Sequence, residues 1–257
     1  MTNPGTPRGR LFLVPAPLDF GCDTQAPIGD VLPNATLVAA AALTHWICEN
    51  AKTARACLKR IGELRPLAAP LQQQHWVELP RELHKKGDAG TGVDVRALLQ
   101  PALAGHDLGL ISEAGMPSVA DPGASVVRAA HELGLEVVPL VGPCSLLLAM
   151  AASGLNGQNF AFVGYLPQDA ALRLKRMREL EALALRTGQA QLFIETPYRN
   201  AALLGALLQG LQPTTQLAVS SGLTLATART RSAPVKTWKQ QMNASVGDSP
   251  AVFGIGR

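Results

Sequence analysis

Residues 107–123 read Asp-Leu-Gly-Leu-Ile-Ser-Glu-Ala-Gly-Met-Pro-Ser-Val-Ala-Asp-Pro-Gly, and this stretch decides the fold. Leu108 to Ile111 is a short apolar run of the kind that forms a strand buried on both faces of a parallel sheet. It stops at Ser112-Glu113-Ala114-Gly115-Met116-Pro117, where small residues and a proline continue neither strand nor helix. Asp121-Pro122-Gly123 then predicts a helix start, with Asp121 as N-cap and Pro122 at the first helical position. Ser125, Val126, Val127, Ala129, Ala130 and Leu133 would form its inward face, and Gly134 its end. The loop therefore lies beyond the carboxyl end of a parallel strand, where open α/β sheets bind ligands. It matches neither a nucleotide P-loop nor a GxGxxG fingerprint, and an ordinary βα connection is the alternative.

A second loop of the same kind follows. Leu135 to Pro139 reads as a strand, Leu140-Val141-Gly142-Pro143-Cys144-Ser145 as the loop, and Leu146 to Gly154 as a small-residue helix. Ser-Glu-Ala-Gly-Met-Pro with Ala-Asp-Pro-Gly, then Val-Pro-Leu-Val-Gly-Pro-Cys, resembles the tetrapyrrole methylase superfamily. Within it the chain is most similar to the ribosomal RNA small-subunit methyltransferase I family, whose members methylate a ribose hydroxyl using S-adenosylmethionine. Weaker matches extend the resemblance over nearly the whole chain. Pro15-Ala16-Pro17 stands where the family has Val-Pro-Thr-Pro, and Glu49-Asn50-Ala51-Lys52 where it has Glu-Asp-Thr-Arg. Glu195-Thr196-Pro197-Tyr198-Arg199 resembles Glu-Ser-Pro-His-Arg, and Pro250-Ala251 the terminal Pro-Ala.

The resemblance implies two α/β domains, an N-terminal parallel sheet and a C-terminal mixed sheet, with a cofactor cleft between them. The boundaries read as a disordered lead-in at 1–9, an N-terminal domain at 10–141 and a C-terminal domain at 142–257. Residues alone support the first half of this: strand and helix patterns alternate, which predicts right-handed crossovers and a parallel sheet. The expected elements there are a strand at Leu11 to Val14, a second at Thr36 to Leu43, a helix from Ala51 to Ile61 and a weak third strand at Leu67 to Gln72. The choice of strand for 36–43 rests on the resemblance, because periodicity does not separate helix from strand in that alanine-rich run. Residues 73–92 read as a polar connection and 93–104 as a helix. In the second half, strands are expected at 160–164, 191–194, 217–219 and 250–255, and helices at 172–185 and 201–211. Gly254 and Gly256 form a lone GxG, which is weak evidence of a site.

Composition bounds the function. With 47% hydrophobic and 16% charged residues in 257, the chain is globular and large enough for one big domain or two small ones. The formal charge of +4 permits an anionic partner without requiring one. Cys22, Cys48, Cys57 and Cys144 show no CxxC pairing or metal spacing, so they read as reduced thiols of a cytoplasmic protein and no metal is expected. The five histidines look scattered, with no serine or cysteine partner at a recognisable spacing. The start, MTNPGTPRGR, has no apolar core of a secretory signal, and the longest apolar run is too short for a bilayer, so no membrane is expected.

The resemblance also supplies the site. Leu18, Gly115, Met116, Val119, Cys144, Ser145, Leu223 and Ala251 align with family contacts to S-adenosyl-L-methionine. Ala114, Gly115 and Gly142 are small, which would let backbone approach the ligand. Glu49, Glu113 and Glu195 are the acids that could act as base toward a hydroxyl, and each could equally be a cap or surface residue. The expected activity is 2′-O-ribose methylation of small-subunit ribosomal RNA or a related RNA, by a homodimer. Arg173, Lys175, Arg176 and Arg178 are either a solvated helix face or an RNA contact. The alternatives are a tetrapyrrole or other small-molecule acceptor, or a cofactor-binding paralogue without turnover. The last is kept open because the family's Arg-Glu-Leu-Thr-Lys has become Ser221-Gly222-Leu223-Thr224-Leu225, which carries no charge.

Overall fold

The computed structural model describes residues 7–86, 93–240 and 246–257. The chain divides into two compact units, one ending at Pro143 and one running from Cys144 to Arg257, with Cys22–Thr24 grouped with the second. Of the expected lead-in, residues 1–6 lie outside the described residues. Residues 8 and 9 are held: Arg8 Nη1 donates to Leu133 O at 2.7 Å, and Gly9 N to Ala102 O at 2.8 Å.

The first unit contains β1 (Leu11–Val14), α1 (Ile28–Val31), α2 (Asn34–Ala42), β2 (His45–Cys48), α3 (Ala51–Leu64), β3 (His75–Glu78), α4 (Arg81–Lys86), α5 (Gln100–Leu103), β4 (Leu108–Ile111), α6 (Ala124–Glu132) and β5 (Val137–Pro139). Its sheet has the order β3-β2-β4-β1-β5, and every pairing is parallel. All carboxyl ends therefore lie at one edge. There the loops after β1, β2, β4 and β5 emerge side by side.

Each strand feeds two cores because successive side chains point to opposite faces. Phe12, Val14, Trp46 and Cys48 pack with α2 and α3, while Leu11, Ile47, Leu108 and Leu110 pack with α6 and the segment around Leu99 and Ala102. Burial pushes the Cys48 and Cys57 thiols up to about 12, so neither is a nucleophile at neutral pH.

Four expectations are corrected here. Residues 36–43 lie largely in α2: Pro33 precedes the first turn, the alanines favour helix, and the buried residues Thr36, Leu37, Ala40 and Ala41 recur at helical spacing. The second strand is the tetrapeptide His45–Cys48, too short to show a period. The third is His75–Glu78, not Leu67 to Gln72; as an edge strand it is mostly exposed and carries no apolar alternation. The helix expected at 93–104 is a 3₁₀ turn at Arg96–Leu99 followed by α5. Three of the five histidines come together. His45 stacks on His75 and on His106 with ring centroids 4.6 and 4.5 Å apart, and its own burial, then the neighbouring rings, lower its pKa.

The second unit contains α7 (Ser145–Ser153), β6 (Phe160–Tyr165), α8 (Ala170–Thr187), β7 (Ala190–Glu195), α9 (Asn200–Gly210), β8 (Gln216–Ser221), β9 (Arg229–Pro234), α10 (Val235–Gln240) and β10 (Ala251–Gly256). The sheet order is β6-β7-β10-β8-β9, with β6 and β7 parallel and the remaining pairs antiparallel. Phe193, Val219, Phe253 and Ile255 face α8, α9 and α10, while Val252 faces α7. The GxG at 254 and 256 is a packing feature. A Cβ at either position would lie 2.9 Å from Leu155, so the glycines make room for that side chain.

Gly109 has the same origin in the first unit. A Cβ there would sit 2.4 Å from Cζ3 of Trp46, whose indole is fully buried and donates from Nε1 to Gln74 Oε1 at 2.9 Å. Replacing Gly109 by alanine should therefore cost about 1–3 kcal/mol by overpacking, measured as a lower denaturant midpoint with the slope unchanged. A variant as stable as the parent would contradict this packing.

Candidate active site

The site is built on backbone. Pro15 and Pro17 end β1, and Ala16 between them forms an isolated bridge to the loop after β4: Ala16 N donates to Gly115 O at 2.9 Å and Gly115 N to Ala16 O at 3.0 Å. Gly115 has φ +72°, and a Cβ on it would lie 3.2 Å from Leu18 Cδ2 and 3.7 Å from the Pro143 carbonyl. Leu18, Gly115 and Pro143 are thus neighbours, with Ala114 and Met116 on either side of the bridge. Gly142 is small for a different reason than ligand access. A Cβ there would be 2.2 Å from Pro15 and 3.2 Å from Leu32, so its glycine admits Pro15. Thr36 Oγ1 donates to Val141 O at 2.6 Å and fixes the same loop.

The segment from 115 to 123 is strained. Ser118 (φ +69°) and Ala120 (φ +66°) occupy the left-handed region, each at a cost of about 1–3 kcal/mol, and Gly123 has φ +133°. Only one other non-glycine among the described residues does so, Thr224 (φ +72°), in the loop after β8. Ser118 Oγ and Thr224 Oγ1 are also buried without a hydrogen-bond partner among the described residues. Strain and orphaned hydroxyls therefore fall on two loops that the resemblance assigns to the cofactor.

This geometry corrects the helix start. α6 begins at Ala124 with Gly123 in the cap position, so Asp121 is not the N-cap. Asp121 is instead a half-buried acid whose carboxyl is pushed up to about 7, first by burial and then by the charges of Glu49 and Glu113, against a hydrogen bond with Ser112. Glu113 N donates to Glu49 Oε2 at 3.4 Å, and Thr53 Oγ1 donates to Glu113 Oε1 at 3.2 Å. Asn50 caps α3, its Oδ1 accepting from Lys52 N at 2.9 Å and Thr53 N at 3.4 Å. The loops after β2 and β4 thereby gather three carboxyl groups. Sequence reading found Glu49 and Glu113 and missed Asp121, because the Asp-Pro-Gly signal for a cap hid its burial.

The remaining residues lie in the second unit. Cys144 and Leu223 pack against Leu146, Ala149 and Val252, and Ser145 opens α7. Ala251 stands abreast of Glu195 on one side and Ser221 on the other. Glu195 is buried and engaged: its Oε1 accepts from Thr196 N at 2.8 Å, Arg199 Nε at 2.9 Å and Arg199 Nη2 at 2.7 Å. That ion pair ties the turn between β7 and α9 and leaves Glu195 poorly suited to act as a base. On α8, Lys175, Arg176 and Arg178 are exposed, and Arg176 pairs with Glu179 at 3.3 Å. Among the described residues, no group of His, Cys, Asp and Glu side chains could hold a metal ion, and no helix is long and apolar enough to cross a membrane.

A parallel sheet with strained, small-residue loops at its carboxyl edge, followed by a mixed sheet, is the architecture of a class. Residues 30–238 match the model of the tetrapyrrole (corrin/porphyrin) methylases, and the chain belongs to that family. Two solved folds agree, each covering 97% of this chain at 18% identity: the methyltransferase CobJ, with a TM-score of 0.57, and uroporphyrin-III-C-methyltransferase from Thermus thermophilus, with a TM-score of 0.53. Among curated proteins the chain is similar to those named ribosomal RNA small subunit methyltransferase I. The Mesorhizobium japonicum protein is 32% identical over 83% of this chain and 63% of its own length. The Pseudomonas aeruginosa protein is 32% identical over 74% and 58%, and that of Leptospira biflexa 28% identical over 85% and 79%. The chain thus spans less than two thirds of the first two relatives.

The Asp121 carboxyl gives the site a pH signature. Its folded pKa of about 7 lies above the ordinary carboxylate value, so the folded chain holds a proton that the unfolded chain has lost. Stability should fall as the pH rises from about 4 through about 7. Asp121→Asn should remove that slope and leave the variant more stable than the parent at pH 8, read from urea midpoints at pH 5 and 8. An unchanged slope would show that Asp121 is not the buried acid described.

Proposed function

We propose that the chain is an S-adenosylmethionine-dependent methyltransferase whose acceptor is a ribose 2′-hydroxyl of small-subunit ribosomal RNA. Membership of a methylase family supports the chemistry. The observation that carries the acceptor is the similarity to the three ribosomal RNA small-subunit methyltransferases named above.

The residues of the first unit fit the cofactor. Its sulfonium and ammonium are cationic, and Glu49, Glu113 and Asp121 form a cluster of like charge that a cation would relieve. The backbone around Ala114 and Gly115 carries no large side chain, and Ser118 Oγ is a buried hydroxyl without a partner among the described residues. In this reading Leu18, Ala114, Gly115, Met116 and Val119 of the first unit line the cofactor. Bound there, S-adenosylmethionine supplies a methyl group on a positive sulfur, ready for displacement. The chain must orient the hydroxyl and take its proton. Asp121 is suited to that because its carboxyl, at about 7 in the free chain, accepts a proton more readily than an ordinary carboxylate. Glu49 and Glu113 add to the burial that holds its pKa up.

The test is methyl transfer from labelled S-adenosylmethionine to small ribosomal subunits lacking their methyl groups, beside a porphyrinogen and a control without acceptor. Label is expected in the ribosomal RNA, with Asp121→Asn lowering turnover by about 10²–10⁴-fold, the usual range for general base catalysis. Label on porphyrinogen alone would overturn the acceptor, and cofactor binding without transfer to either would leave a binding protein.

The chain is further proposed to act as a homodimer. Leu147 and Leu148 on α7 are 58% and 40% exposed, apolar area that a second copy would cover. Light scattering should give twice the 27.0 kDa chain mass, and Leu147→Glu should return it to the monomer.

A further inference from the structure

The second unit holds a cavity that the methyl-transfer chemistry leaves unused. It is an open cleft of about 800 Å³ lined by Ser221, Thr227, Arg229, Arg231, Trp238 and Ser249, among others. That volume is in the range of small-molecule sites. Among the described residues, no carboxylate lines it.

The two arginines face into it from one side of β9. Across the ladder to β8, Arg229 is paired with Ser221 and Arg231 with Val219, so both lie on the face that carries Trp238. The Arg231 guanidinium stacks on the Trp238 ring, its carbon 3.8 Å from the ring centroid. The indole is itself fixed, donating from Nε1 to Leu217 O at 2.9 Å. Stacking satisfies the guanidinium face but not its N–H groups, which need acceptors in the ring plane. Nη2 of Arg231 is buried and has no hydrogen-bond partner among the described residues. A buried cationic donor held rigid against an aromatic ring, in a cavity edged with hydroxyls, is a preformed site for an oxyanion.

We infer that this cavity is a phosphate-binding subsite that takes a backbone phosphodiester of the RNA acceptor. Arg231 would donate in-plane N–H groups to the phosphate, with Arg229 at the rim and the hydroxyls of Ser221, Thr227 and Ser249 as further donors. Trp238 serves as the positioning residue for Arg231. The identity of the polyanion rests on the RNA reading above, whereas the anion site itself does not.

The experiment uses the full chain with two probes. Inorganic phosphate is titrated while the Arg231 and Arg229 Nε resonances are followed by NMR. In parallel, anisotropy of a labelled oligoribonucleotide from small-subunit ribosomal RNA is measured across a salt series. Phosphate should shift the Arg231 Nε resonance saturably, and Arg231→Gln should abolish the saturable response. Each of Arg231→Gln and Arg229→Gln should weaken RNA binding by roughly 5–10-fold at low salt and flatten the salt dependence by about 0.7 for a single-stranded contact. Affinity for S-adenosylmethionine should be unchanged. Should Arg231→Gln lose its fold through Trp238, the exposed Arg229→Gln carries the same expectation. Saturable phosphate binding with no RNA binding would retain the anion site and remove the RNA occupant. RNA binding with the parental affinity and salt slope in both variants, or no phosphate response, would overturn the subsite.

Discussion

Two backbone hydrogen bonds between Ala16 and Gly115 hold the carboxyl edge of the first sheet together. They join the loop after the first strand to the loop after the fourth, and they are made by main-chain atoms alone. Everything around them is arranged to let those two loops touch. Pro15 lies where a Cβ on Gly142 would be, which draws in the loop after β5, and Leu18 lies against Gly115. Proline, alanine and glycine therefore interlock three loops with little side-chain volume between them. The surface they leave is mainly peptide, suited to a ligand that is read through N–H and C=O groups.

Electrostatics adds a second constraint. Glu49, Glu113 and Asp121 are close enough to disturb one another, and Asp121 responds by keeping its proton up to about 7. Such a cluster costs stability in the free chain, as do the left-handed Ser118 and Ala120. The strain falls on the loop after β4, and the charge is shared between that loop and the one after β2. Like charge and backbone strain thus meet where the loops after β2 and β4 come together.

Much of this was legible in the sequence. The apolar run at 108–111, the small-residue loop and the Val-Gly-Pro-Cys turn located the parallel sheet and its carboxyl edge, because buried parallel strands and their loops leave strong local patterns. Strands β2, β3 and β9 were not legible. His45–Cys48 is four residues long, His75–Glu78 is an exposed edge, and Arg229–Pro234 is a polar edge ribbon, so none shows the expected alternation. Asp121 was misread as a cap, since a sequence cannot show that burial and two neighbouring acids surround it. Glu195 was placed correctly on its turn, but its partner Arg199, four residues on, occupies the carboxylate. The Arg231 site had no sequence signal, because it depends on Trp238 arriving from the next helix beneath the strand.

The strand order has a consequence for the chain as it is made. β1 lies between β4 and β5, so Leu11 finds its partners only when Leu108 and Val137 exist. On a ribosome, the apolar segment Leu-Phe-Leu-Val leaves the exit tunnel long before either neighbour and stays without an edge to join. β2 and β3, adjacent in order and joined by α3, can pair first and wait. β4 then inserts between the β2–β3 pair and β1, and β5 completes the sheet along the other side of β1. The Ala16–Gly115 bridge, which joins the loops after β1 and β4, would report the insertion of β4.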